Sequence, residues 1–184
     1  MGNLVIFMMT TLDGFFEGPN HNIDWHNVDD EFNEFAINQL NSVDVLLFGR
    51  VTYELMASYW PTLTATTDDP QVAEKMNTLP KIVFSSTLEK VEWNNTRLIK
   101  DRIPEEISQL KQQSSKDLII MGSSNLSASL INLGLIDEFR IMVNPVVLGN
   151  GSPLFKGIHN PLHLKRLKTT PFHSGNVLHY YQPT

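Results

Sequence analysis

Three places in the chain set glycine or small polar residues directly after an apolar run. Gly49, Arg50 and Thr52 follow "DVLLF", Ser85, Ser86 and Thr87 follow "KIVF", and Gly122, Ser123, Ser124 and Asn125 follow "LIIM". Each run has the length of a strand and each cluster precedes a helical pattern, so each reads as a strand-to-helix junction. The first turn of a helix leaves backbone N–H groups without intrahelical acceptors and carries a partial positive charge, to which serine and threonine hydroxyls add donors. Such a junction suits an anion. A helix end contributes only about 0.3–1 kcal/mol to holding a charge, whereas micromolar affinity requires roughly 8 kcal/mol. One junction is therefore too weak for a nucleotide, and several must share it. Taken singly, each also has a structural reading, since Ser and Thr cap helices and glycine eases tight turns.

Other chemistries find less support. Neither G-x-G-x-x-G nor G-x-x-x-x-G-K-[ST] occurs, and there is no H-E-x-x-H. His159 and His163 are four apart, but Pro161 between them spoils a helix, so no metal site is expected. The chain has no cysteine, which removes disulfides, thiolate chemistry and Cys-ligated zinc together. The segment "TTLDGFFEGPNHNIDWHNVDDEF" is long for a link between a strand and a helix, as binding loops often are. It holds Asp13, His21, His26 and Asp30, each of which has a bland alternative as a turn or solvated loop residue.

The elements that must position these groups follow from the hydropathy pattern. Leu4–Met9, Val43–Phe48, Lys81–Phe84 and Leu118–Met121 read as buried strands. Helices fit Asp29–Leu40, Thr52–Tyr59, Pro70–Met76, Pro104–Gln112 and Asn125–Leu133, the last with Leu126, Leu130 and Leu133 on one face. This alternation implies a parallel or mixed sheet covered by helices. After Gly134 the texture changes: Phe139–Val147 is strand-like, and Leu162–Thr170 and Asn176–Tyr181 pair across "PFHSGN" as an antiparallel edge. In a parallel sheet the carboxyl ends of the strands share one rim, where ligands gather.

At 184 residues, with 41% hydrophobic and 18% charged residues, a single domain over residues 1–184 is expected. A formal charge of −6 without a basic cluster argues against a nucleic-acid partner. No signal-like or membrane-spanning segment stands out, and a cytoplasmic location is the expectation.

Taken together, "TTLDGFFEG", "LLFGRVTYE", "KIVFSST", "IIMGSSNLSASLI" and "GLIDEFRIMVNPVVLGNGSPLF" with the closing strand pair resemble the dihydrofolate-reductase-like family. The branch they resemble is the reductase domain of riboflavin biosynthesis and its free-standing relatives, and the resemblance runs from Leu4 to Tyr181. It implies a three-layer α/β fold, with a mixed, mostly parallel sheet, helices on both faces and C-terminal antiparallel strands. It also implies an NADPH-dependent reductase of a small heterocycle, such as 5-amino-6-(5-phosphoribosylamino)uracil, and a homodimer.

By this resemblance Gly49, Arg50 and Thr52 meet the cofactor's phosphates, with Arg50 at the adenosine 2′-phosphate. Ser85 and Ser86 flank the adenosine, and Gly122, Ser123, Ser124 and Asn125 cradle the pyrophosphate. The related pattern carries consecutive glycines at that turn. Here serines follow Gly122, so either their hydroxyls replace backbone contacts or cofactor affinity is reduced. Asp13 matches an S-x-D-G turn and either shapes the loop or contacts substrate. Asp30 echoes the carboxylate near the first helix that binds the pterin in dihydrofolate reductases, or else it favours the helix N-terminus together with Asp29 and Glu31. The alternatives to this function are a dihydrofolate reductase proper and a non-catalytic nucleotide-binding protein of the same fold. No metal, nucleic acid or membrane partner is implied.

Overall fold

The computed structural model describes residues 1–184. Its centre is an eight-stranded sheet. The strands are β1 (Leu4–Thr11), β3 (Val43–Gly49), β4 (Lys81–Phe84), β5 (Thr96–Ile99), β6 (Asp117–Met121), β7 (Glu138–Asn144), β9 (Leu164–Pro171) and β10 (Val177–Pro183), in the order β5-β4-β3-β6-β1-β7-β10-β9. From β5 to β7 every neighbour is parallel, while β10 runs antiparallel to both β7 and β9. Two short strands, β2 (Phe15–Glu17) and β8 (Ser152–Pro153), form a separate antiparallel pair.

The helices are α1 (Asp30–Asn41), α2 (Arg50–Tyr59), α3 (Leu63–Asp68), α4 (Pro70–Thr78), α5 (Ile103–Gln113) and α6 (Ser124–Asn132). They cover both sheet faces, which explains why β1 reads as an uninterrupted apolar run and is buried at all eight residues. Alternate side chains of β1 serve opposite cores. Leu4, Ile6 and Met8 pack with Ile107 and Leu110 of α5 and Leu126 and Leu130 of α6. Val5, Phe7 and Met9 pack with Leu40 of α1, Tyr53 of α2 and Val72 and Met76 of α4. No helix is long and apolar enough to cross a membrane.

Differences from the expected elements fall where hydropathy carries little signal. β5 is a four-residue edge strand with one buried position, and β2 and β8 are shorter still. The strand expected over Phe139–Val147 stops at Asn144, whose side chain turns back to the Thr10 carbonyl at 3.3 Å and receives the Asn27 amide at 2.9 Å.

Candidate active site

β4, β3, β6 and β1 are consecutive neighbours, with Gly49 level with Phe84, Leu47 with Ile120 and Phe7 with Met121. The three polar segments therefore lie side by side along the carboxyl rim, but only two of them start helices: Ser85, Ser86 and Thr87 lead through a loop to β5, so the third expected strand-to-helix junction is not one. The two that do are sewn together. The Gly49 N–H donates to Ser123 Oγ at 2.9 Å, and the Ser123 N–H donates to Thr52 Oγ1 at 2.9 Å. Gly122 has φ +66°, and a Cβ there would stand 2.9 Å from Thr52 Cγ2. The turn thus needs glycine for its conformation and for the approach of α2.

Because Ser123 spends its hydroxyl on Gly49, it leaves the start of α6 uncapped; Gly49, lacking a side chain, leaves α2 uncapped as well. α1 and α3 differ, since Asp29 accepts from the Phe32 N–H at 2.8 Å and Thr62 from the Ala65 N–H at 3.3 Å; α4 and α5 also lack a side-chain cap, but each has a proline in its first turn, which removes one of the free donors. Capping is the ordinary way to satisfy first-turn amides. What sets α2 and α6 apart is that they begin side by side at adjacent strand ends with proline-free first turns and no side-chain cap, an arrangement that suits an anion.

Beside these turns opens a cleft of about 340 Å³. Its floor is Phe7 and Met9 of β1 with Met121 of β6, and its walls come from α1, α2, α4 and the loop before α1. Five of the chain's seven methionines line it. Ile23, Val28, Val51, Leu55 and Tyr59 also line it and are among the few large apolar side chains left exposed. An exposed apolar cluster across a concavity marks a ligand site, and the flexible thioethers allow its shape to adapt. Thr52, Gly122 and Ser123 belong to the same lining, so the cleft runs directly into the paired helix starts.

The other expected residues fall as follows. Arg50 is the first residue of α2; its Nη1 bonds Glu54 Oε2 at 2.9 Å, with both side chains about half exposed. Ser85 Oγ accepts from the N–H groups of Thr87 and Leu88 at 3.2 and 3.1 Å, and Ser86 is exposed. Ser124 and Asn125 form the first turn of α6.

The two carboxylates offered as catalytic candidates take the structural side of their alternatives, apart from the cleft. Asp13 is exposed and outside the cleft lining. Its oxygens accept from the N–H groups of Leu148 and Gly149 at 3.2 and 2.7 Å, tying the loop after β1 to the loop after β7. The Thr11 hydroxyl, followed by the Gly149 and Leu148 amides, holds its carboxyl below the usual range. Asp30 is also exposed and outside the lining: α1 begins there, but its residues reach the cleft only from Phe32 and Asn33 onward.

The polar groups that do line the cleft are Glu17, His21, His26, Asn33, Gln39, Thr52, Asp69 and Ser123. Glu17 accepts from Ser152 Oγ at 2.8 Å and pairs with His21 Nδ1 at 2.9 Å. Burial pushes the His26 imidazole down to about 4, and its buried Nε2 has no partner. Asn33 makes no side-chain hydrogen bond to the protein, and it is the polar residue that the first turn of α1 presents to the cleft. Glu17, Asn33 and Asp69 carry no sequence signal of their own, because β2, α1 and the start of α4 bring them together only in the folded chain.

A parallel sheet closed by an antiparallel pair, with helices on both faces and uncapped helix starts beside an apolar cleft, defines the dihydrofolate-reductase-like class. Within it, the RibD C-terminal domain pattern matches residues 3–178, and the chain belongs to that family. YyaP of Bacillus subtilis (strain 168) is 36% identical over 176 residues, covering 95% of this chain and 91% of its own.

Among solved structures, a Shewanella sp. PV-4 protein described under riboflavin biosynthesis is similar at TM-score 0.77 and 24% identity, covering 99% of both chains. The Thermotoga maritima diaminohydroxyphosphoribosylaminopyrimidine deaminase/5-amino-6-(5-phosphoribosylamino)uracil reductase is similar at TM-score 0.72 and 17% identity. That match covers all of this chain and 57% of the Thermotoga one. Enterococcus faecalis dihydrofolate reductase complexed with NADP(H) is similar at TM-score 0.68 and 16% identity, covering 100% of this chain and 97% of that one.

Proposed function

We propose that the chain is an NADPH-dependent reductase of a small heterocycle. The observation that carries this reading is the continuity of the apolar cleft, through Thr52, Gly122 and Ser123, with two helix starts that no side chain caps. A dinucleotide needs that combination: amides for its pyrophosphate and, next to them, an apolar slot for the ring that reacts. The relatives support it, since the Thermotoga protein is named a uracil reductase and the enterococcal one holds NADP(H).

In this reading the first-turn amides of α2 from Arg50 to Thr52 and of α6 at Ser124 and Asn125 hold the pyrophosphate, while Gly49, Gly122 and Ser123, whose own Gly49 and Ser123 N–H groups tie the two turns together, shape the cradle. Arg50 swings from Glu54 to the adenosine 2′-phosphate, a bidentate match that guanidinium makes well. Ser85 and Ser86, which follow directly on Phe84, itself level with Gly49 on the neighbouring strand, border the adenosine. When bound, the reduced nicotinamide supplies a hydride to the carbon of an acceptor C=N bond, whose nitrogen takes a proton from water. The floor of Phe7, Met9 and Met121 places the acceptor, and the walls of α1 and α2 exclude bulk water from the face that reacts. A dihydrofolate reductase proper is less favoured, because the α1 wall offers Asn33 and not Asp30.

Calorimetric titration with NADPH and NADH tests this reading. NADPH is expected to bind at micromolar concentration or below, and Arg50→Ala is expected to cut the preference over NADH by about tenfold, the weight of one charge-assisted phosphate contact. Failure of either dinucleotide to bind overturns the proposal. A preference unchanged in Arg50→Ala removes Arg50 from the 2′-phosphate.

A further inference from the structure

The cleft lining contains no lysine and no arginine. This goes beyond chance placement around one pocket. From Met1 to Gly49, the stretch that supplies the floor strand β1, the long loop and the α1 wall, there is not one lysine or arginine, and eight of the chain's twenty acidic residues lie there. The next wall, α2, carries Arg50 alone, at its first residue on the rim and outside the lining; from there to Lys75 no further cation occurs. The charged groups that do line the cleft are the carboxylates Glu17 and Asp69. Glu17 is already engaged with Ser152 and His21, and Asp69 has no side-chain hydrogen bond to the protein.

We infer that the substrate of this cleft is a flat, largely apolar heterocycle bearing no phosphate, carboxylate or other anionic group. This rests on the reductase reading and narrows it. A ligand phosphate carried into an apolar slot must be repaid with cations or several aimed donors, because desolvating a charge without them is prohibitive. Here the walls offer thioethers, aliphatic groups and aromatic rings, with carboxylates at the margins. What remains to bind the polar edge of a neutral ring is suited to it: the amide of Asn33, which makes no side-chain bond to the protein, with the uncharged imidazole of His26 in the same lining. The chain thus parts from the phosphate-bearing uracil in the name of its Thermotoga relative. The fold and the cofactor rim are shared, and the grip on a sugar phosphate is missing from the substrate side.

A matched fluorescent pair tests this: 6-methylpterin, uncharged at neutral pH, against pterin-6-carboxylate, of similar size and with one negative charge. Each is titrated into the protein with and without saturating NADPH, and into Asn33→Arg. The uncharged ring is expected to bind at least tenfold more tightly, with or without NADPH, and Asn33→Arg is expected to bring the pair to within threefold. Equal affinity in the unmodified protein, preference for the carboxylate, or binding of neither pterin overturns the inference. So does an unchanged ratio in a folded Asn33→Arg protein. Calorimetry with NADPH on the same samples separates the two claims: absence of NADPH binding strikes the reductase reading, whereas NADPH binding with carboxylate preference strikes only the substrate class.

Discussion

His26 shows how one side chain is set by its surroundings and what that costs the fold. Its ring stacks edge-on against Trp25 at 4.5 Å between centroids, lines the cleft and keeps Nε2 buried. Burial lowers its pKa from 6.5 to about 4, so the native imidazole is neutral through the physiological range. In the unfolded chain it takes up a proton as pH falls through 6.5, while the native protein refuses one until about 4. Stability is therefore full above pH 6.5 and lost progressively below it, by at most about 3 kcal/mol at 1.36 kcal/mol per pKa unit. Urea unfolding at pH 7 and pH 4.5 should show His26→Gln losing less stability over that interval than the unmodified protein. Equal losses would mean that the ring is already solvated and open to protonation. The same neutrality removes His26 as a cationic proton donor at pH 7 and leaves it a hydrogen-bonding role.

At the scale of elements, the bond between two turns matters more than either turn alone. Ser123 is 8% exposed and sits at φ +56°, a conformation that costs a residue with a Cβ roughly 1 kcal/mol or more. Its N–H is satisfied only by Thr52 Oγ1 and its hydroxyl by the Gly49 N–H, so the strained turn after β6 leans on the start of α2. Thr52→Val keeps the shape and removes the acceptor. The expected result is a stability loss of about 1–2 kcal/mol from the unpaired N–H, together with weaker NADPH binding as α2 and α6 lose their mutual register. Denaturant melts and calorimetry measure the two effects; unchanged NADPH affinity in a destabilised protein would separate the turn from the cofactor site. This dependence also answers the question raised by serines standing where related chains carry glycines. The Ser123 hydroxyl bonds the neighbouring turn and, in doing so, leaves the helix start free.

How much of this was legible in the chain depended on how local the cause was. β1, β3, β4 and β6 were readable because both of their faces are buried, which leaves a plain apolar run. Helix α1 was readable to within a residue because Asp29 caps it. β5 was not, since an edge strand with the pattern Thr-Arg-Leu-Ile has neither alternation nor a buried run. For the rim, residue type and position after a strand were enough to place Gly49, Thr52, Gly122 and Ser123 together at the strand ends. Asp13 and Asp30 stayed open between a structural and a substrate role for a common reason: a carboxylate's role is decided by what the rest of the chain brings to it. For Asp13 that was two amides from the loop after β7, more than 130 residues away. Glu17, Asn33 and Asp69 were illegible in the opposite sense, as ordinary residues made neighbours by the fold.

Across the whole molecule the charges are divided as well. Every one of the fourteen lysines and arginines lies at or beyond Arg50, so the segment that builds β1, the long loop and α1 carries eight carboxylates and no lysine or arginine. Its field repels anions from the cleft mouth, while Arg50 and the two helix starts attract them at the rim. Salt separates these contributions, because the Debye length falls from about 30 Å at roughly 0.01 M to about 3 Å at 1 M. Raising salt from about 0.01 M to about 0.5 M should weaken NADPH binding, as the attraction of Arg50 and the helix ends is screened. Over the same range pterin-6-carboxylate should bind more tightly, since what salt screens there is repulsion, and 6-methylpterin should hardly change. Opposite salt slopes for two anions on one small protein, read from fluorescence and calorimetric titrations, require that the rim and the cleft carry opposite local potentials. If both anions weaken in parallel, the cleft holds a cation that its lining does not contain, and the assignment of the substrate to the acidic half of the molecule fails.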